Sequence, residues 1–293
     1  MSLSRLDMKN KGVKCGQVVI HITMILCCFA VIIPLALVFV VSFSTELSVL
    51  RKGYTFFPEG FSLNAYRLLF SNNQIFNAYG ISILVTAAGT FLSVLFMSMC
   101  AYTLSCGNCK HKNKLAMFLY LPTLINPGLV PWYINISHTL GLSNTILVLF
   151  LPVLIGPFNI FLIRNYFKSI PDSLVESARM DGAGHYRVYF RIMLPLSVPI
   201  IATIALLTSL GFWNNWYMAA WFIDNPKLYP LQYFLYRLES QFSSFNPGQS
   251  GGILPEQTFY VATMFVTIGP IVLIYPFVQR YFIKGIMIGA VKG

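Results

Sequence analysis

The chain has 293 residues, 56% hydrophobic and only 10% charged, with a mean hydropathy of +0.68 and a net charge of +11. Soluble domains run nearer to about 45 to 50% apolar and about 25% charged, so this composition excludes an ordinary water-soluble enzyme. The apolar residues come in long continuous runs, which makes lipid the solvent.

A helical span needs about 20 apolar residues, because roughly 30 Å of hydrocarbon is crossed at about 1.5 Å per residue. Six runs meet this length: Val18 to Phe43, Ala78 to Leu104, Leu115 to Ile134, Thr145 to Ile163, Leu196 to Ile223 and Tyr260 to Gln279. None holds an Asp, Glu, Lys or Arg, and His21 is their single histidine. Strands of a membrane barrel would instead read as alternating segments of about 10 residues. The expectation is an all-α, polytopic membrane protein with six transmembrane helices. It divides into an N-terminal segment over 1–17, a membrane domain over 18–283 that includes a long charged loop over 164–195, and a tail over 284–293.

Charge orients these runs. An even number of spans puts both termini on one side, together with the basic clusters around Lys9 to Lys14, Lys110 to Lys114, Arg164 to Arg191 and Arg280 to Lys292. On the other side Arg51, Lys52, Arg67, Lys227 and Arg237 are balanced by Glu46, Glu59, Asp224, Glu239 and Glu256. The whole net charge of +11 therefore falls on the terminal side, and the positive-inside rule makes that side cytoplasmic. The basic balance reports topology and gives no support to nucleic-acid binding.

One cytoplasmic connection stands out, from Arg164 to Pro195. Pro171 suits a first helical position, Asp172 adds favourable charge to the first turn, and Leu174, Val175 and Ala178 form an apolar face at helical spacing. Gly182 and Gly184, flanking Ala183, stop that helix and permit a sharp turn or a close backbone approach before a second helix runs to Leu194 and Pro195. Such a knob fits a socket on a cytoplasmic partner; the plainer reading is an amphipathic helix that only covers the bundle.

Inside the runs, a path for a solute with both C–H faces and hydroxyls would combine rings that stack on the faces with amides that pair with the hydroxyls. Asn126, Trp132 and Tyr133 do so in the third run, and Trp213, Asn214, Trp216 and Tyr217 in the fifth, where 213, 216 and 217 share one face of an unbroken helix. Asn159 beside Pro157 is a further candidate. The competing reading for Trp132, Tyr133 and Trp221 is an aromatic belt at the headgroups.

The stretch from Glu176, Ser177 and Ala178 through Asp181 and Gly182 to Ile192, Leu194 and Pro195 resembles the "EAA" signature by which ABC-importer permeases contact their ATPase, with Ser177 where alanine is usual. Ser62, Leu63, Asn64 and Tyr66 resemble the "LxNY" element of the carbohydrate-uptake branch, Trp213 and Asn214 its "WN", and "KGIMIGAVKG" its ending. The nearest likeness is to the shorter six-span permease of maltose-type systems and to permeases for pectin-like oligosaccharides. The resemblance implies a permease domain in a bacterial plasma membrane, and an importer with a second permease subunit, two ATPase subunits that hold ATP and Mg, and an extracellular solute-binding protein. It also implies an ATPase contact at Lys292 and Gly293, although Lys284 and Lys292 also suit a headgroup anchor.

What the chain lacks agrees with a permease. Without a Gly-Lys doublet there is no "GxxxxGK[ST]" phosphate loop, so no cofactor or enzyme activity is expected in this chain. No run contains the carboxylate that proton-coupled carriers use, which counts against an ion-coupled secondary transporter, and a non-transporting scaffold is a third possibility. Cys106 and Cys109, with His111, form a lone CxxC that is too few ligands for zinc, so no metal site is expected. Cysteine-accessibility labelling should find positions 4 and 292 on the cytoplasmic side and position 251 outside; labelling of 251 from inside alone would remove the six-span topology.

Overall fold

The computed structural model describes residues 3–71, 73–107, 109–125, 127–243 and 257–272, and among them the chain is helical, with no strand. In hydrocarbon no water satisfies exposed N–H and C=O groups, so apolar sequence closes its own hydrogen bonds as helix. The described residues fall into two compact units, one from Met1–Ser71 and Phe242–Val266, the other from Asn72–Gln241 and Thr267–Gly293.

The first unit is built on the Leu3–Ser42 helix, whose apolar part Gln17–Ser42 is long enough to cross a bilayer. Ile20, Leu26 and Val31 are each 63% exposed, a surface that suits lipid and not water. After Ser42 the chain turns back through the Glu46–Lys52 and Asn64–Ser71 helices. Phe43 stacks on Phe61 and on Tyr66, and the Tyr66 hydroxyl donates to Ser42 Oγ at 2.8 Å. The Tyr66 of the "LxNY" element is thus a clasp between this segment and the first helix, and its burial pushes its pKa up. At the surface Lys52 Nζ meets Glu59 at 2.7 Å and holds that carboxyl below its usual range.

Glu46 makes the longest connection in this unit. Its carboxylate accepts from the backbone N–H groups of Gln257 and Thr258, at 2.8 and 3.0 Å, and from Thr258 Oγ1 at 2.7 Å. Those amides open the Gln257–Val272 helix, where the first N–H groups lack intrahelical partners and a negative charge is favoured.

The second unit centres on the Gln74–Ser105 helix, which packs against Val198–Trp213 and Pro157–Phe167. Gly89 permits the close crossing, since a Cβ there would lie 2.9 Å from the Phe212 ring and 3.1 Å from Phe150 Cβ. The segment after residue 223 is tied down by polar contacts. Asn77 Nδ2 donates to Lys227 O at 2.6 Å, Leu231 N to Ser82 Oγ at 2.7 Å, and Asp224 N to Asn144 Oδ1 at 2.6 Å. It carries a Leu231–Ser243 helix, which lies outside the six apolar runs.

Only two of the six expected runs are unbroken spans among the described residues, Gln17–Ser42 and Gln74–Ser105. The third is Lys112–Leu124 followed by Leu129–Thr139, bent by 119° at a Pro127–Gly128 step where Gly128 has φ +84°. The fourth is Ile146–Val153 and Pro157–Phe167, bent by 54° at Gly156–Pro157. At the start of the fifth, His185–Leu196 turns by 81° into Val198–Trp213 between Pro195 and Pro199, which remove backbone donors on both sides of Ser197. In the sixth, the apolar Gln257–Val272 helix is described, and the rest of that run lies outside the described residues. Hydropathy registers none of these breaks because Pro and Gly do not interrupt an apolar average.

Replacing Glu46 with Ala should cost about 1–2 kcal/mol, the scale of a lost helix cap with a charged acceptor, and Gln should recover part of it. Hydrogen exchange of the Gln257 and Thr258 amides in detergent-solubilised protein reads the effect; unchanged protection would show that the carboxylate contributes nothing.

Candidate functional site

The residues of the "EAA" stretch form one rigid corner. Asp172–Met180 is a helix with Pro171 as its N-cap, one position earlier than expected. Its end is a Schellman turn: Gly182 N donates to Arg179 O at 3.0 Å, Ala183 N to Ala178 O at 2.9 Å, and Gly182 has φ +78°. No neighbour comes within 4 Å of a Cβ built there, so Gly182 is required by its left-handed backbone and not, as the sequence also allowed, by a close approach. Ser177, at the usual alanine position, turns its hydroxyl to Leu174 O at 3.2 Å.

The second helix, His185–Leu196, carries a π-helical turn over Tyr189–Met193 that includes Ile192. Val175, Ala178, Ala183 and Leu194 pack on a core of Met97, Ala101, Ile160, Phe167, Val188 and Met193. The Leu174 expected on that inner face is instead 44% exposed. Tyr189, fully buried, joins its hydroxyl to Ser98 Oγ at 2.7 Å, and Tyr102 reaches His185 Nδ1 at 3.4 Å. The corner is therefore fixed to Gln74–Ser105 and Pro157–Phe167, while Glu176, Asp181 and Gly182 face outward around Met180, 88% exposed, and Pro195 is exposed at the far end of the second helix. A cleft of about 410 Å³ beside it is lined by Lys168, Asp172, Glu176 and Arg179 among others. Lys292 and Gly293 lie outside the described residues.

The aromatic candidates of two separate runs come together. Trp132 stacks on Tyr217 at 6.0 Å and meets Phe222 edge-on at 5.0 Å; Tyr133 stacks on Phe222 at 5.4 Å. Trp216 packs edge-on to Tyr217 and stacks on Tyr236 at 4.9 Å.

Two expectations change here. The fifth run is not one helix through "FWNNWY": Val198–Trp213 ends with Asn214 as its C-cap, and a new helix starts at Tyr217. Positions 213, 216 and 217 therefore share no helical face. Trp213 turns into the protein, 7% exposed, and its Nε1 donates to Thr267 O at 3.2 Å. Asn214 uses its amide on Leu210 O and on Gln232 Nε2. Asn159 lies apart from the rings, in a cavity of about 340 Å³ with Asn215 and Thr208, whose hydroxyl has no partner there. Asn126 falls outside the described residues. Sequence reasoning missed Tyr236 and Gln232; the signal was the aromatic spacing of Tyr233, Phe234 and Tyr236 in the segment after the fifth run.

The family described as "Binding-protein-dependent transport system inner membrane component" matches residues 6–288. The chain belongs to this family. Members are membrane-embedded transport components, so this family member is a permease and not itself an enzyme. It is 36% identical over 265 residues to Protein LplC of Bacillus subtilis, covering 89% of this chain and 90% of LplC. It is 35% identical to the polygalacturonan/rhamnogalacturonan transport system permease YtcP of the same organism, over 89% of this chain and 93% of YtcP. Among solved structures it is similar to a bacterial ABC transporter involved in import of the acidic polysaccharide alginate, with TM-score 0.82, 27% identity and coverage of 92% and 97% of the two chains.

The two tryptophans flanking the break should separate by thermal unfolding in detergent. Trp213→Phe loses the bond to Thr267 and should cost about 1 kcal/mol, whereas Trp216→Phe keeps a ring for Tyr236 and should leave the transition nearly in place.

Proposed function

We propose that this permease is one of two membrane subunits of an ATP-driven importer for oligosaccharides, with six spans and both termini in the cytoplasm. The observation that carries the cargo is the meeting of Trp132, half-buried, with the exposed Tyr217 and its neighbour Trp216, and of Tyr133 with Phe222 and Trp221, which makes an aromatic surface from runs about 80 residues apart in sequence. Relatives named as polygalacturonan/rhamnogalacturonan and arabinooligosaccharide permeases support the same class. A binding-protein-dependent family disfavours the ion-coupled alternative.

In this reading a solute-binding protein delivers sugar from outside, and two ATPase subunits that bind ATP and Mg close in the cytoplasm. The outward Glu176–Gly182 corner docks on one of them. Its motion is delivered through Tyr189 to Ser98 on the central Gln74–Ser105 helix, and through Val175 and Ala178 to Pro157–Phe167. The C-terminal Lys292 and Gly293 would add a second ATPase contact.

Gly182→Leu forces a branched side chain into φ +78° and should loosen the corner. Reconstituted with its partners, the variant should insert normally yet lose most binding-protein-stimulated ATP hydrolysis. Full stimulation would remove the coupling role from this corner.

A further inference from the structure

The stacking surface ends beside a cation. From Trp132 the rings follow one another through Tyr217 and Trp216 to Tyr236, with centroids 6.0, 6.0 and 4.9 Å apart, and Trp216 and Tyr236 are 41% and 50% exposed. Behind Tyr236 stand two buried rings, Tyr233 at 6.5 Å and then Tyr229 a further 4.8 Å on. Arg237 is next to Tyr236 in the Leu231–Ser243 helix. Its Nη1 donates to the Tyr229 hydroxyl at 3.0 Å, and its Cζ lies 5.6 Å from the centroid of that ring.

This arrangement fixes the guanidinium without neutralising it. The hydroxyls of Tyr229 and Tyr233 and the Tyr229 ring face hold the group in place, but none of them supplies a full negative charge. Arg237 is exposed, and among the described residues no carboxylate pairs with it. Guanidinium offers five donors in a planar fork; the bonds to Tyr229 and Tyr233 engage part of it and leave donors free for an anionic group. An oriented guanidinium that no described carboxylate neutralises, on the residue next to the open ring of Tyr236, matches a ligand that is flat and apolar on its faces and carries a carboxylate at its edge. A uronic-acid sugar has that chemistry.

We propose that Trp216, Tyr236 and Arg237 form a subsite for an acidic oligosaccharide, in which the rings stack on pyranose faces and Arg237 binds the carboxylate of a uronate unit. This rests on the carbohydrate reading above and adds the charge of the cargo. Arg237 is then a specificity residue: it favours acid over ester or neutral sugar by a charge-assisted hydrogen bond that only the carboxylate can complete.

The test uses the complete importer in proteoliposomes, with trigalacturonate and its methyl ester as probes. Wild type should take up the acid with the higher apparent affinity. Arg237→Met should weaken uptake of the acid about tenfold, the loss of one charge-assisted hydrogen bond, and change the ester by less than about twofold. Arg237→Lys should keep part of the preference, and Trp216→Ala should weaken both probes. Equal effects of Arg237→Met on acid and ester, or no effect on either, overturn the proposal, because a helix-stabilising or headgroup-anchoring arginine does not distinguish the two sugars. Wild-type uptake of the ester but not of the acid overturns the acidic subsite and leaves the carbohydrate reading standing. Uptake of neither probe, with a neutral oligosaccharide transported instead, does the same; uptake of no sugar at all overturns both.

Discussion

A chain in hydrocarbon has to satisfy its own backbone, and this constraint decides where the permease can carry function. Unbroken helices such as Gln17–Ser42 meet it residue by residue, and their outward surface is left to lipid. Wherever a helix stops, at Pro127–Gly128, at Gly156–Pro157, around Ser197 and at Asn214, carbonyls and amides lose their partners and need shelter from protein or water. The candidate residues gather at these stops. Trp132 follows the first and Asn159 the second, Ile192 to Pro195 lead into the third, and Trp216 and Tyr217 follow the fourth. Irregular backbone is tolerated where it lines a path or a hinge.

The Gln74–Ser105 helix links these places. It crosses Val198–Trp213 closely at Gly89, accepts the Leu231 amide through Ser82 near one end, and holds Tyr189 through Ser98 towards the other. A well-packed core of this kind moves between discrete arrangements and does not bend continuously. The corner at Gly182 is stiff for a related reason: with its turn closed by two backbone bonds, the short helix has little freedom to swing independently of the helices beneath it.

The sequence made some of this legible. Charge-free runs gave the membrane class, and Gly182 marked the end of its helix because only a residue tolerant of positive φ suits a Schellman turn. Apolar averages could not see the 119° and 81° breaks, since proline and glycine lower no hydropathy score enough to matter. Helical spacing put Trp213, Trp216 and Tyr217 on one face by assuming an unbroken helix, and Asn214 ends it. The Leu231–Ser243 helix was hidden for the opposite reason: it is amphipathic and sits outside the apolar runs, so a search for long apolar stretches passes over it. Its Tyr236 touches Trp216 only through tertiary packing, which no local pattern encodes.

The Glu46 carboxylate bonds to an amide 211 residues further along the chain. Ribosomes add about 5–20 residues per second, so the side chain emerges roughly 10–40 s before its partners exist. During that interval the first reverse turn, already clasped by Tyr66, waits with an acceptor that only water can fill. The Gln257–Val272 helix thus completes the first unit, which makes assembly of this permease sensitive to loss of that segment: a product truncated before it would insert its early spans and still expose an unfinished cap, a feature that membrane quality control can recognise.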